Sequence, residues 1–195
     1  MKNVISTNVC YECGKQMEGT QGEYKYIECG LTSVILKDIL VYRCTNCTAV
    51  VPEIPAAGVL HRIIALRILS KKSLLTGSEV RFLRKLCGFS VNEFAEILGS
   101  SKSVISRWEK NGCGKMTDKL VRLLAMTKLA REAAEQGEPI LANVTVEYLF
   151  GLVEDAMKKV LEGKGSTNER YEISPADIAQ YSRTSPPLEL MVAFQ

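Results

Sequence analysis

Residues 90–112, S-V-N-E-F-A-E-I-L-G-S-S-K-S-V-I-S-R-W-E-K-N-G, constrain the fold more than any other stretch of the chain. Ser90 and Glu93 form an S-x-x-E capping box, which predicts a helix starting at Val91. Phe94, Ala95 and Leu98 give that helix an apolar face. Gly99 stops it, because glycine enters the left-handed region at little cost. Ser101 then predicts the cap of a second helix over residues 102–110. Ile105 and Trp108 point inward one turn apart, with Val104 and Glu109 beside them. Lys102, Ser103, Ser106 and Arg107 are left on the outer face. A small, polar and basic outer face on the second helix of a helix–turn–helix is what reading a DNA major groove requires. The rival is an ordinary helical hairpin. Both caps, the turn glycine and the basic outer face together favour the DNA-reading arrangement.

Charge supports the same reading once it is divided along the chain. The net charge is only +3. Residues 1–70 carry +1, residues 71–131 carry +8, and residues 132–195 carry −6. The basic block coincides with the helix–turn–helix, as phosphate binding demands, although a solvated basic face would look the same by charge alone.

A chain of 195 residues holds one ordinary domain or two small ones. No apolar run approaches the roughly 18 residues of a membrane span. The opening M-K-N-V-I-S-T-N-V-C lacks the apolar core of a signal peptide. A cytoplasmic protein is expected, in which the seven cysteines serve as thiols or metal ligands rather than disulfides. His61 is the only histidine and lies in an apolar run, so it reads as structural. Histidine-based catalysis has almost no material, no catalytic motif is visible, and an enzyme is not expected.

Cys10-Tyr-Glu-Cys13 and Cys44-Thr-Asn-Cys47 are two C-x-x-C knuckles with 30 residues between them. Each places two thiolates close enough to share one ion. Four soft sulfur ligands favour one tetrahedral zinc per chain, with no open position for chemistry. Residues 24–28, 34–36 and 40–43 read as strands, with turns at Gly30 and at Lys37-Asp38, giving a small antiparallel sheet on the metal site. About sixty residues bury too little for a strong core, so the metal supplies much of the folding energy. The competing reading is a redox dithiol, but that motif usually opens a helix in a βαβ unit, and none is visible.

Of the other cysteines, Cys29 lies on a predicted strand, Cys87 faces the core from a helix end, and Cys113 falls in a loop where exposure is expected. Residues 57–69 predict a helix with Leu60, Ile64 and Ile68 inward, and residues 70–73 a junction. Thr76 and Glu79 form a second capping box, opening a helix that turns Val80, Leu83 and Cys87 to the core. Thr117 is expected to cap the fourth helix of the DNA-binding unit, running to about residue 135. Thr145 is expected to cap another to about residue 163, with Val146, Leu149, Phe150, Val153, Met157 and Val160 on one stripe. Residues 163–168 read as a linker. Ser174, Pro175 and Asp177 predict a short capped helix, and residues 188–194 are an apolar end. The expected fold class is α+β, mostly α. It comprises a zinc module (1–52), a connecting helix and linker (53–73), a helix–turn–helix domain (74–136) and a helical extension (137–195).

Arg84, Gly88, Ser90, Glu93, Ala95, Gly99, Ser101, Ile105, Ser106, Trp108, Glu109 and Gly112 together resemble the Cro/repressor-type (XRE) helix–turn–helix family. The resemblance implies a structural pair between Arg84 and Glu109. Val91 stands where that family usually has a phosphate-contacting glutamine. A four-cysteine module ahead of this unit, the 30-residue gap and the run L-T-x-x-E-V-R-x-L-R from Leu75 to Arg84 are similar to MqsA-type antitoxins. This resemblance spans about residues 8–126. It implies a homodimer on a palindromic operator in double-stranded DNA, and a small toxin bound by the zinc module. Ser103 replaces a base-contacting asparagine of the shorter members, which implies a different operator. A protein-interaction adaptor and, more remotely, a dithiol oxidoreductase remain as alternative functions.

Overall fold

A computed structural model describes residues 4–135, Lys158 and residues 169–183. Its N-terminal half is built around β3 (Val34–Cys44). On one side β3 pairs antiparallel with β2 (Gln16–Lys25), whose outer edge carries β1 (Ser6–Val9), also antiparallel. Two strands share the other side of β3. β4 (Val50–Pro52) runs antiparallel beside Val41–Arg43. β5 (Tyr171–Ile173) runs parallel beside Val34–Leu36. The sheet is therefore mixed rather than purely antiparallel. A parallel neighbour needs a long crossover, and this one comes from far along the chain.

The turn expected at Lys37-Asp38 is a bulge inside one continuous strand. Gly22 pairs with Ile39 and Tyr24 with Leu36, so Lys37 and Asp38 together face Glu23. Asp38 takes φ 53°, a conformation aspartate tolerates better than most residues. The extra residue shifts the parity of the buried positions from Val34 and Leu36 to Ile39 and Val41. In the sequence that break in alternation reads as a strand end. The strand expected over residues 24–28 stops at Lys25. A single 3-10 turn, Ile27–Cys29, follows and ends on Gly30 at φ 84°. Cys29 thus sits on a turn, where its thiol donates to the Tyr26 carbonyl at 3.0 Å.

Six helices complete the described fold: α1 (Ala57–Ser70), α2 (Gly77–Leu86), α3 (Val91–Ile97), α4 (Lys102–Asn111), α5 (Lys115–Glu135) and α6 (Pro175–Arg183). Among the described residues no helix is long and apolar enough to cross a membrane. Leu60, Ile64 and Ile68 of α1 are fully buried in one core with Val34, Leu36, Val80, Leu83, Phe94 and Ile105. His61 belongs to the same packing. Its Nε2 lies 2.9 Å from the Tyr26 hydroxyl, its ring stacks on Tyr26 and meets Phe82 edge-on, and burial lowers its pKa.

The capping boxes at Thr76–Glu79 and Ser90–Glu93 both close, each hydroxyl accepting from the glutamate N–H and each glutamate from the cap N–H. Ser174 and Asp177 do the same at α6. Thr117 does not cap α5. The helix opens at Lys115, three residues before a Thr117 cap would start it, and the Asp118 N–H bonds the Gly114 carbonyl, so Gly112, at φ 84°, and Gly114 make the entry. Gly77 is required where α2 crosses α4, since a Cβ there would lie 2.6 Å from the Glu109 carbonyl oxygen.

Buried charge joins α1 to the helical bundle. Arg122 pairs with Asp118 at 2.9 Å and donates to the carbonyls of Ile68, Leu69, Lys71 and Ser73. It thereby satisfies carbonyls at the end of α1, which the helix itself leaves without partners. Asp118 also accepts from the Leu75 N–H at 2.7 Å. Apart from the exposed, helical Lys158, the helix expected over residues 145–163 with its Val146–Val160 stripe, the linker at 163–168 and the apolar end at 188–194 lie outside the described residues.

Candidate functional site

The two C-x-x-C knuckles converge. Cys10 and Cys13 occupy the turn between β1 and β2, Cys44 ends β3, and Cys47 lies in the turn from there to β4. The β2–β3 ladder brings these turns side by side, pairing Met17 with Cys44. All four sulfurs lie within 4.8 Å of one another. Cys10 and Cys47 are 3.6 Å apart, and Cys13 and Cys44 are 3.5 Å apart. A tetrahedron with Zn–S bonds of about 2.3 Å has edges of about 3.8 Å, so the spacing fits a tetrahedral ion. The N–H groups of Asn46 and Cys47 both point at the Cys44 sulfur at 3.4 Å. These donors favour the thiolate and lower the Cys44 pKa, while burial and the neighbouring cysteines raise the Cys47 thiol, so the cluster without metal keeps a proton that a bound ion would displace. The residues thus suit a soft metal. Zinc bound here would have four protein ligands and no open position, and would supply structure rather than chemistry.

The remaining cysteines stand apart from this cluster. Burial pushes the Cys87 thiol up to about 11. Cys113 is half-buried against the core rather than exposed, and burial raises its thiol to about 12. Neither is a ready thiolate at neutral pH.

The second site is the outer face of α4. Lys102, Ser103, Ser106 and Arg107 are all exposed, while Ile105 and Glu109 are buried and Trp108 is half-buried against the core. Ser101 occupies the N-cap position, yet its hydroxyl bonds Ser103 Oγ at 2.9 Å and caps no backbone N–H. The N-terminal end of α4 therefore carries a pair of serine hydroxyls and Lys102, with no side-chain oxygen closing its N–H groups.

Behind that face, Arg84 donates from Nε to Oε1 of Glu109, and a second guanidinium nitrogen bonds the Phe89 carbonyl at 2.6 Å. Arg81 donates to the other Glu109 oxygen at 3.0 Å. Sequence reasoning missed this second arginine, although its position three residues before Arg84 puts both on one helix face. Burial works to raise the Glu109 carboxyl. The Arg84 and Arg81 hydrogen bonds and charges outweigh it and hold the group below the usual carboxylate range.

The buried charges do not weaken the basic surface. Lys71, Arg84 and Arg122 face inward, but so do Glu79, Glu109 and Asp118. These cancel, and the excess of +8 over residues 71–131 stays with the outward groups.

Residues 80–125, from α2 into α5, match the helix–turn–helix family model. With the geometry above, this defines an XRE-type helix–turn–helix, a DNA-binding regulatory module. No curated protein and no solved structure matches the chain.

Proposed function

We propose that this chain is a sequence-specific transcriptional regulator, a repressor of antitoxin-like character, which binds a palindromic operator as a homodimer. The observation that carries this reading is α4. Its outer face offers Lys102, Ser103, Ser106 and Arg107 on a helix whose inner face is fixed by Ile105 and by Glu109 between two arginines. Arg107 has the forked donor that matches a guanine edge, and Lys102 suits a base or a phosphate. The uncapped end of α4 adds the positive pole of the helix dipole near the phosphates. The four cysteines hold one structural zinc, in a cytoplasmic setting.

Two further observations support assembly with protein. Met116, Leu120 and Leu123 form an exposed apolar stripe on α5, the helix that follows the reading helix in the chain. Ile5, Val9 and Tyr11 are exposed on and around β1, where the first knuckle begins, and offer the zinc module's face to a small toxin partner.

Selection of duplexes from a randomised pool tests the reading. The expected product is an inverted repeat bound by two chains, with affinity falling steeply as salt rises. Recovery of no preferred sequence, with binding to any duplex alike, would overturn sequence-specific regulation.

A further inference from the structure

Residues 169–183 touch three elements that are far from them in the chain. β5 fills the β3 edge beside Val34–Leu36, and Tyr171, Ile173 and Ile178 are buried there. Arg67 of α1 donates to the Glu172 carbonyl and pairs with Asp177 at 3.5 Å. The Tyr171 hydroxyl donates to Oε1 of Glu79 at 2.6 Å. Oε2 of that carboxylate accepts the Lys71 ammonium at 2.6 Å and the Thr76 N–H at 2.7 Å. Glu79 is therefore both the capping-box residue that opens α2 and the anchor of the β5 strand. From α2, Arg81 and Arg84 hold Glu109 of the reading helix. A chain of polar contacts thus runs from the sheet that carries the four cysteines, through β5 and α2, to α4.

We infer that residues 169–183 are a strap that holds the reading helix at a fixed angle to the zinc-module sheet, so that release of the strap weakens DNA binding without unfolding the helix–turn–helix. The inference rests on the DNA-binding reading above. The physical reason is preorganisation. With the strap docked, Tyr171 helps fix Glu79 at the start of α2, and α2 in turn fixes the end of α4 through Arg81 and Arg84. With it released, α2 and α4 are held less firmly against the shared core and must be ordered on binding, at a cost in affinity. Besides the buried Tyr171, Ile173 and Ile178, the strap is held by a three-residue ladder, the Tyr171 N–H on the Ser33 carbonyl, Arg67 on the Glu172 carbonyl, ion pairs of Lys37 with Glu172 and Arg67 with Asp177, and the Tyr171 hydroxyl. The intervening residues 136–168 keep a released strap tethered, so redocking is intramolecular.

Two variants of the full chain test this on a duplex selected by the wild-type protein. Ile173→Asp places a charge at a buried strand position and should release the strap. Tyr171→Phe removes only the hydroxyl that reaches Glu79. Circular dichroism and Trp108 fluorescence check that the helix–turn–helix is intact, and faster hydrogen exchange at Val34–Leu36 reports release. The expected result is binding weaker by about tenfold for Ile173→Asp and about threefold for Tyr171→Phe. A synthetic peptide of residues 169–183, in excess, should restore the Ile173→Asp affinity, which mere structural damage would not allow. If Ile173→Asp does not fold, the Tyr171→Phe affinity decides alone. Wild-type affinity in a folded variant with a released strap would overturn the inference while leaving the DNA-binding reading intact. Absence of any selected duplex for the wild type would overturn both.

Discussion

Arg84 and Glu109, 25 residues apart, form a buried ion pair that ties the first helix of the DNA-binding unit to the end of the reading helix. Both side chains are almost fully buried, and Glu109 has one further arginine partner in the more exposed Arg81. Removing Arg84 leaves a carboxylate desolvated with half its compensation. Arg84→Ala should therefore cost about 3 kcal/mol, at the lower end for breaking a buried pair because Arg81 remains. Urea unfolding measures this, and a loss below about 1 kcal/mol would make the pair incidental.

The same pair sets a pH signature. The folded-state pKa of Glu109 is depressed, so the unfolded chain binds more protons than the folded one between the two values. Its contribution is present above the unfolded value of about 4.3 and is lost as pH falls through the folded one. The stability gap between wild type and Arg84→Ala should narrow as pH drops from 7 towards 3.5. In the variant, burial without Arg84 raises the Glu109 pKa, which favours the folded state at low pH and closes the gap further. Denaturant titrations at matched ionic strength check the sign; a gap that widens on acidification contradicts it.

For the metal centre, purified protein should contain about one zinc per chain, held by Cys10, Cys13, Cys44 and Cys47. Cys44→Ser should remove most of it, and Cys29→Ser should leave it unchanged, because the Cys29 thiol is engaged with Tyr26 on a separate turn. Chelation should loosen the knuckle turns and β4 first in hydrogen exchange. Val34–Leu36 should hold longer, since β2 and β5 flank them. Metal content below half an equivalent in chelator-free preparations would remove zinc from the account.

Local signals carried the sequence reading well where structure is set by near neighbours. Both S/T-x-x-E boxes, the Gly99 stop and the inward Ile105 are visible because each depends on contacts within one helical turn. The knuckles were visible for a similar reason, as cysteine pairs have few other uses in such a chain. Long-range effects were not legible. One inserted residue at Asp38 broke the alternation of β3 and made it look like two strands. The sequence Tyr-Glu-Ile at 171–173 is too short to announce a strand, and its partner lies over 130 residues away. Thr117 was a plausible cap, but the glycines before it let the helix begin earlier, and Asp118 found its partners in Leu75 and Arg122. Glu79 was legible as a cap and illegible as an anchor, since Lys71 and Tyr171 meet it only in the folded chain.

Assembly can be tested without knowing the operator. Light scattering on the wild type should report a dimer, as a two-fold operator requires. We propose the apolar stripe expected over Val146–Val160 as the seam, so Leu149→Asp should give a folded monomer with weakened cooperative binding to the inverted repeat, whereas an unfolded Leu149→Asp protein would make the stripe internal core. Leu120→Glu on α5 tests the exposed apolar stripe of that helix in the same way. A wild-type monomer both at high concentration and on DNA would end the proposal of a homodimer.

The reading helix gives the sharpest prediction. Arg107 is exposed on α4, one turn beyond Ser103, on the face away from Ile105. If it donates two hydrogen bonds to a guanine, Arg107→Ala should cost on the order of 1–3 kcal/mol and relax preference at a single base pair. Lys102→Ala should behave differently if Lys102 holds a phosphate: binding weakens alike on every sequence, and the salt slope becomes shallower by roughly one. Trp108→Ala should instead lower stability, because that ring packs against the core. Binding series over single-base operator variants, at two salt concentrations, separate these behaviours. A folded Arg107→Ala protein with the wild-type preference at every position would show that α4 is not the element that reads the sequence.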